Sequence, residues 1–133
     1  MTTATVTWID GERFVASASS NHAIVVDAGP EKTANGPMEL VLIALCSCTA
    51  VDVVNILTKK RESFTEVEVR AEAERANEPP RVFTEIKLVY RITGQVSRKA
   101  AEDAVRLSEE KYCSVAGMLN KTAKITWEIQ QVD

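Results

Sequence analysis

Aromatic side chains make up only 5% of the 133 residues. Single-strand binders need aromatic platforms on which bases stack, so that role fits poorly. A surplus of positive charge is missing too. Lys and Arg number 16 against 19 Asp and Glu, the net charge is −3, and the signs are interspersed along the chain. With no basic stripe, no nucleic-acid partner is expected. Histidine occurs once, at His22 in the turn-like stretch SSNHAI. One His and three Cys do not assemble four converging ligands, so neither a metal nor another cofactor is expected. The odd cysteine count argues against a secreted disulfide framework. The N-terminal MTTATVTWIDGERF has no basic region followed by an apolar core. A cytoplasmic protein with reduced thiols is therefore expected. The most apolar run, Leu40 to Val51, is bracketed by Glu39, Asp52 and Asn55 and is shorter than the ~20 residues of a membrane span. We read it as a buried helix and expect no membrane association.

What remains is an ordinary globular composition, 45% hydrophobic and 26% charged, in a chain of single-domain length. One domain over residues 1–133 is expected. TATVTW and RFVASAS alternate with period two and flank Asp10-Gly11, which reads as a hairpin. AIVVD is a third strand, followed by the loop AGPEKTANGP. Pro37 opens a helix that runs to about Lys60. FTEVEVRAEAER and RVFTEIKLVYRIT are long alternating strands, the second broken by Gly94. Ser97 caps the helix SRKAAEDAVRLSEEK, a short helix CSVAGMLNKTA follows, and KITWEIQQV closes the chain as a strand. Segregated runs of this kind predict an α+β fold with an antiparallel sheet. Trp8 and Trp127, on the two terminal strands, read as core. The helix from Pro37 is apolar all round in its first turns, so it must be covered on every side. One sheet covers one side; a second copy of the chain is the expected cover for the other.

Two cysteines lie inside that helix, in LCSCTAVDVV, and the third is in YCSVAGML. Cys46 and Cys48 are about 200° apart around a helix. They cannot bond one another, because a disulfide needs its Cβ atoms within about 4.5 Å. Cys113 therefore partners one of them at most. Cys46 lines up with Leu42, Ala50 and Val53 and reads as a small core residue. Cys48 shares its face with Asp52 and Asn55, so it is the candidate for chemistry. Cys113 begins a short helix, where orphan N–H groups favour a thiolate. The charges of EKYCS read as a solvated helix end, with Glu109 or Glu110 within reach of a site shared between two copies.

The stretches GPMELVLIALCSCTAVDVVNIL, PRVFTEIKLVYRITG and LSEEKYCSVAGML, in this order of elements, resemble the OsmC/Ohr family of thiol-dependent peroxidases, and most of all its YhfA-type branch. The resemblance covers nearly the whole chain. It implies an OsmC-like fold, an intertwined homodimer around two long central helices, with the active sites at the subunit interface. It implies that Cys48 attacks an organic hydroperoxide and that Cys113 resolves the resulting sulfenic acid as a disulfide, which a dithiol reductant then reopens. An apolar pocket of Leu45, Met118 and Leu119 would take the substrate. The organic-hydroperoxide branch activates its thiol with an arginine of the N-terminal hairpin and a glutamate directly after the helix-opening proline. Arg13 lies in such a hairpin, but Met38 occupies the glutamate position and Glu39 comes one later, about 180° around the helix from Cys48. This departure favours the alternative to a peroxidase, a redox-sensing or small-ligand-binding protein with little turnover.

Overall fold

A computed structural model describes all residues, 1–133. The chain forms two compact units, Met1–Ile43 and Ala44–Asp133.

The first unit is a three-stranded antiparallel sheet, β1 (Ala4–Asp10), β2 (Arg13–Ala18) and β3 (Ile24–Asp27), in that order. β1 and β2 form the hairpin expected around Asp10-Gly11, with an irregularity between Trp8 and Asp10 that strengthens the local twist. Trp8 is exposed rather than core, and its indole N–H donates to the Gly11 carbonyl at 2.9 Å. The following loop is organised by Asp27, whose buried carboxylate accepts the N–H of Gly29 (2.8 Å) and of Thr33 (2.9 Å) and the Thr33 hydroxyl. These bonds, the Thr33 hydroxyl first, hold the Asp27 carboxyl below its usual range.

α1 spans Pro37–Lys59 and continues from this unit into the next. Its start is capped by Glu39, whose carboxylate accepts the Gly36 N–H at 3.0 Å, the return half of a capping box. At 23 residues it is long and apolar enough, by length and composition, to cross a membrane. Yet the row Leu45, Thr49, Val53 and Leu57 is buried at four-residue spacing, which is the spacing of one helical face. Part of its remaining apolar surface is exposed in the protomer: Ile43 is 47% and Val51 59% exposed.

The second unit holds a second sheet, β4 (Ser63–Arg75), β5 (Phe83–Gln95) and β6 (Lys124–Val132), with β5 central. The chain thus makes two three-stranded sheets, not one. The second is mixed, because β6 runs parallel to β5. A parallel pair needs a crossover rather than a tight turn. Here the crossover is α2 (Arg98–Leu107), a π-helical turn (Ser108–Tyr112) and α3 (Ser114–Leu119). Ser97 caps α2 as expected, its hydroxyl accepting the Ala100 N–H at 3.1 Å. Alternate residues of β5, Ile86, Leu88, Tyr90 and Ile92, are buried, as are Ala101, Ala104 and Val105 of α2. Burial of alternate residues on a strand marks one covered face.

Gly94 does not end β5. It lies within the strand at φ +120°, opposite the irregularity between Phe64 and Glu66 of β4. A Cβ there would sit 2.4 Å from the Ser63 carbonyl oxygen and 2.8 Å from Phe64 Cα. Both are backbone atoms that cannot swing aside. Gly94→Ala is expected to lower the unfolding free energy in urea by about 3 kcal/mol. Gly117→Ala, where a Cβ meets nothing within 4 Å, is expected to stay within about 1 kcal/mol of the parent, on the stabilising side.

Candidate active site

The buried row of α1 carries one polar side chain, Thr49, which is fully buried. A hydroxyl cannot be left unpaired there without a penalty of about 1–3 kcal/mol. Thr49 Oγ1 lies 2.7 Å from the Tyr90 hydroxyl and 2.7 Å from Ser108 Oγ. Tyr90 reaches it from the covered face of β5. Ser108 reaches it from the π-helical turn, whose widened backbone follows α2 directly. The chain continues at both ends. The Tyr90 hydroxyl is 2.7 Å from Glu109 Oε1, and Ser108 Oγ is 2.8 Å from Asp52 Oδ2. The five side chains form one line, Glu109–Tyr90–Thr49–Ser108–Asp52. No buried side-chain oxygen or nitrogen in the protein lacks a partner.

Burial pushes the Glu109 carboxyl above its usual range, and the charge of Asp52 adds to this, against the hydroxyls of Tyr90 and Thr49. Burial, followed by the charge of Glu109, likewise raises the Tyr90 hydroxyl, which stays protonated. Asp52 opens onto a cleft of about 380 Å³ that it shares with Asn55, Lys59, Lys60, Leu107 and Tyr112.

The two cysteines singled out from the sequence lie beside this line. Cys48 is the residue before Thr49 and is half-buried; Cys113 closes the π-helical turn and is buried. The Cys48 thiol is close enough to act on the ionisation of Cys113, by hydrogen bonding and by charge. Both thiols are free. Cys113 caps α3, its sulfur accepting the Ala116 N–H at 3.4 Å. That bond favours a thiolate, as the helix-start position suggested, but it does not decide the outcome. Burial dominates, and with Cys48 and Glu109 adding, the Cys113 thiol is pushed up to about 12. A six-residue helix offers too little dipole to compensate. At neutral pH Cys113 is a thiol, not a thiolate.

Cys46 is half-buried, and burial raises its thiol as well. Leu45 is 0% exposed and belongs to the core row, while Met118 is 66% exposed and Leu119 half-buried. Arg13 and Glu39 belong to the N-terminal unit. Arg13 donates from Nε to Thr33 Oγ1 at 3.2 Å and pairs with Asp10 at 3.4 Å. Glu39 is engaged in the helix cap described above. His22 is an exposed turn residue near Ser20 Oγ. No three side chains among His, Cys, Asp and Glu are grouped to hold a metal ion.

The sequence puts Glu109 only within reach of a site shared between two copies. It is instead half-buried within its own protomer. Tyr90, Ser108 and Thr49 are not among the candidate residues that the sequence offers. The one local signal was a tyrosine on the apolar face of a long alternating strand, since a buried Tyr requires a partner for its hydroxyl. Chemically, the arrangement brings two free thiols near one another, next to a polar line that carries two carboxyls and three hydroxyls.

Three comparisons bear on this site. The profile of the family described as "OsmC-like protein" matches residues 29–128. Protein YhfA of Escherichia coli strain K12 is 44% identical over 130 residues, 97% of each chain. Among solved structures, a hypothetical protein from Aquifex aeolicus is 32% identical, with a TM-score of 0.87 over 100% of this chain and 98% of its own. An organic hydroperoxide resistance protein, OhrB of Bacillus subtilis, shares the fold at a TM-score of 0.68 over 96% of this chain and 98% of its own, with 15% identity.

The polar line makes Thr49 a keystone. Thr49→Val keeps the shape but leaves both Tyr90 and Ser108 short of a partner. An unfolding free energy lower by about 1–3 kcal/mol is expected in chemical denaturation, whereas Thr58→Val, at the exposed end of α1, is expected to change it by less than about 0.5 kcal/mol.

Proposed function

The chain belongs to the OsmC-like protein family, and on that footing we propose that it is a thiol-dependent peroxidase that reduces organic hydroperoxides. The observation that carries the reading is the neighbourhood of Cys48 and Cys113 within one compact unit, the Cys48 thiol close enough to raise that of Cys113. The fold shared with an organic hydroperoxide resistance protein adds support.

In this reading the Cys48 thiolate attacks one oxygen of the peroxide. An S–O bond forms, the O–O bond breaks, and the alkoxide leaves and takes up a proton as an alcohol. Cys48 is then a sulfenic acid. The Cys113 sulfur attacks it, an S–S bond forms, and the departing hydroxide takes up the Cys113 proton as water. A dithiol reductant returns both thiols by exchange. Cys113 is buried and protonated, which suits a group that reacts only with a sulfenic acid formed next to it and not with solutes. Met118 and Leu119, on α3 just after Cys113, supply apolar surface for the organic part of the substrate.

Cysteine substitutions separate the roles. Cys48→Ser is expected to reduce consumption of cumene hydroperoxide, with dithiothreitol as reductant, to background. Cys113→Ser is expected to leave a Cys48 sulfenic acid that dimedone labels, seen as an adduct in intact-protein mass spectrometry. Wild-type turnover no faster than that of the double variant would refute the peroxidase reading.

One observation favours the second reading, a redox-sensing or ligand-binding protein with little turnover. Met38 stands after the helix-opening proline, and Glu39 is engaged in the cap. Stoichiometric disulfide formation without sustained turnover would mark that role.

We further propose that the chain acts as a single cytoplasmic domain paired in a homodimer. The support is the uncovered apolar surface of α1, where Ile43 and Val51 are exposed beside a fully buried row. Light scattering coupled to size exclusion is expected to give twice the 14.6 kDa of the chain; a stable monomer would overturn the pairing.

A further inference from the structure

The line Glu109–Tyr90–Thr49–Ser108–Asp52 has four contacts, all of 2.7–2.8 Å. Each such contact between oxygens needs one hydrogen. With both carboxyls ionised, only the three hydroxyls of Tyr90, Thr49 and Ser108 supply hydrogens. Ser108 then donates to Asp52, Tyr90 donates to Glu109, and Thr49 can donate to only one of its two neighbours. The remaining contact would press two lone pairs together at 2.7 Å in a dry interior, where water cannot relieve it.

One added proton removes the conflict in either of two ways. With the proton on Glu109, donation runs Glu109 to Tyr90 to Thr49 to Ser108 to Asp52. With the proton on Asp52, every bond reverses and Glu109 is the carboxylate. Each arrangement fills all four contacts, and each leaves one negative charge at one end. We propose that this line holds one proton between its two terminal carboxyls at neutral pH, and that the end on which it resides sets the charge presented to Cys113. Glu109 is then a positioning residue, acting on the resolving thiol through its charge; this second half rests on the redox reading above.

The groups facing Glu109 are consistent with a stored proton. From β5 it meets Tyr90, and from α1 Thr49 and Asp52, none of them a cation; its charge also reaches Cys113. The burial that raises Glu109 acts in the same direction. The outer end is different, because Asp52 opens onto a cleft that Lys59 and Lys60 also line, whereas burial raises the carboxyl of Glu109. The proton therefore resides mainly on Glu109, and the side facing Cys113 is neutral in the resting protein.

Infrared difference spectroscopy of the reduced wild-type protein tests the stored proton without reference to peroxides. A protonated-carboxyl C=O band is expected at neutral pH. It is expected to vanish in Glu109→Gln, where the amide donates to Tyr90 in place of the acid. It is expected to vanish also in Asp52→Asn, where the amide donates to Ser108 and Glu109 ionises. No such band in the wild type, or a band that survives both substitutions, overturns the proposal.

The charge at Cys113 is read by the decay of the Cys48 sulfenic acid in stopped flow across pH. Asp52→Asn fixes a negative Glu109 beside Cys113, a charge that raises the thiol, and is expected to slow resolution by up to about tenfold. Glu109→Gln, which carries no charge beside Cys113 at any pH, is expected to lose the slowing expected of the wild type when the stored proton is lost at higher pH. Equal pH profiles in all three proteins would overturn the role assigned to Glu109. Failure to form a sulfenic acid at all would instead refute the peroxidase reading and, with it, this second half, leaving the infrared result to decide the stored proton.

Discussion

A single hydroxyl on an otherwise apolar helix face holds the second unit's site together. Thr49 is the only polar member of the row Leu45, Thr49, Val53 and Leu57, and its two bonds tie α1 to β5 and to the turn before Cys113. Apolar contacts alone would tolerate a helix turned or slid by a fraction of a residue, because the hydrophobic effect has no direction. A buried hydroxyl with two partners at 2.7 Å does not tolerate that. Rotating α1 by one residue, about 100°, would remove Thr49 from both partners and carry Cys48 away from Cys113. The position of Cys48 is therefore set by its neighbour in sequence, and the core and the cysteine pair share one constraint.

That constraint depends on the π-helical turn. α2 ends at Leu107, and the next five residues widen before Cys113. The wider turn presents Ser108 and Glu109 inward as consecutive residues, one to Thr49 and one to Tyr90. In a regular helix consecutive side chains diverge by about 100° and do not serve the same buried line. π-helical turns occur frequently at functional sites, and here the irregularity has a specific use: it delivers both an acceptor and a donor, and then the cysteine.

Much of the architecture was legible in the residues. The alternation of VEVRAEAE and EIKLVYRI, the Asp10-Gly11 turn, Pro37 at a helix start and Ser97 at another each reflect a local rule, and each element lies where its rule puts it. The failures share a cause, which is tertiary context. Gly94 reads as a breaker, yet its glycine-only backbone serves a bulge defined by a strand thirty residues away. β6 gives no local sign of pairing parallel to β5. Trp8 reads as core from its size, while its strand lies in an uncovered hairpin of the protomer. Of the site, Cys48 was separated from Cys46 by helix angle alone. The polar line was not, because its members come from α1, β5 and the π-helical turn and share no spacing.

A buried polar line is not explained by stability. Replacing all partners of such a set by apolar groups of similar shape is often neutral in stability or favourable, so Val, Phe and Ala would hold α1 on β5 about as firmly. They would not fix its rotation, and they would carry no proton. The acids at the two ends are unlike in surroundings, one half-buried beside a thiol and the other open to a cleft with two lysines. A line of three hydroxyls between unlike acids conducts a change of protonation from the cleft to the thiol without moving any heavy atom. In a site where the Cys113 thiol is raised mainly by burial, the charge next to it is among the few quantities left for the protein to adjust.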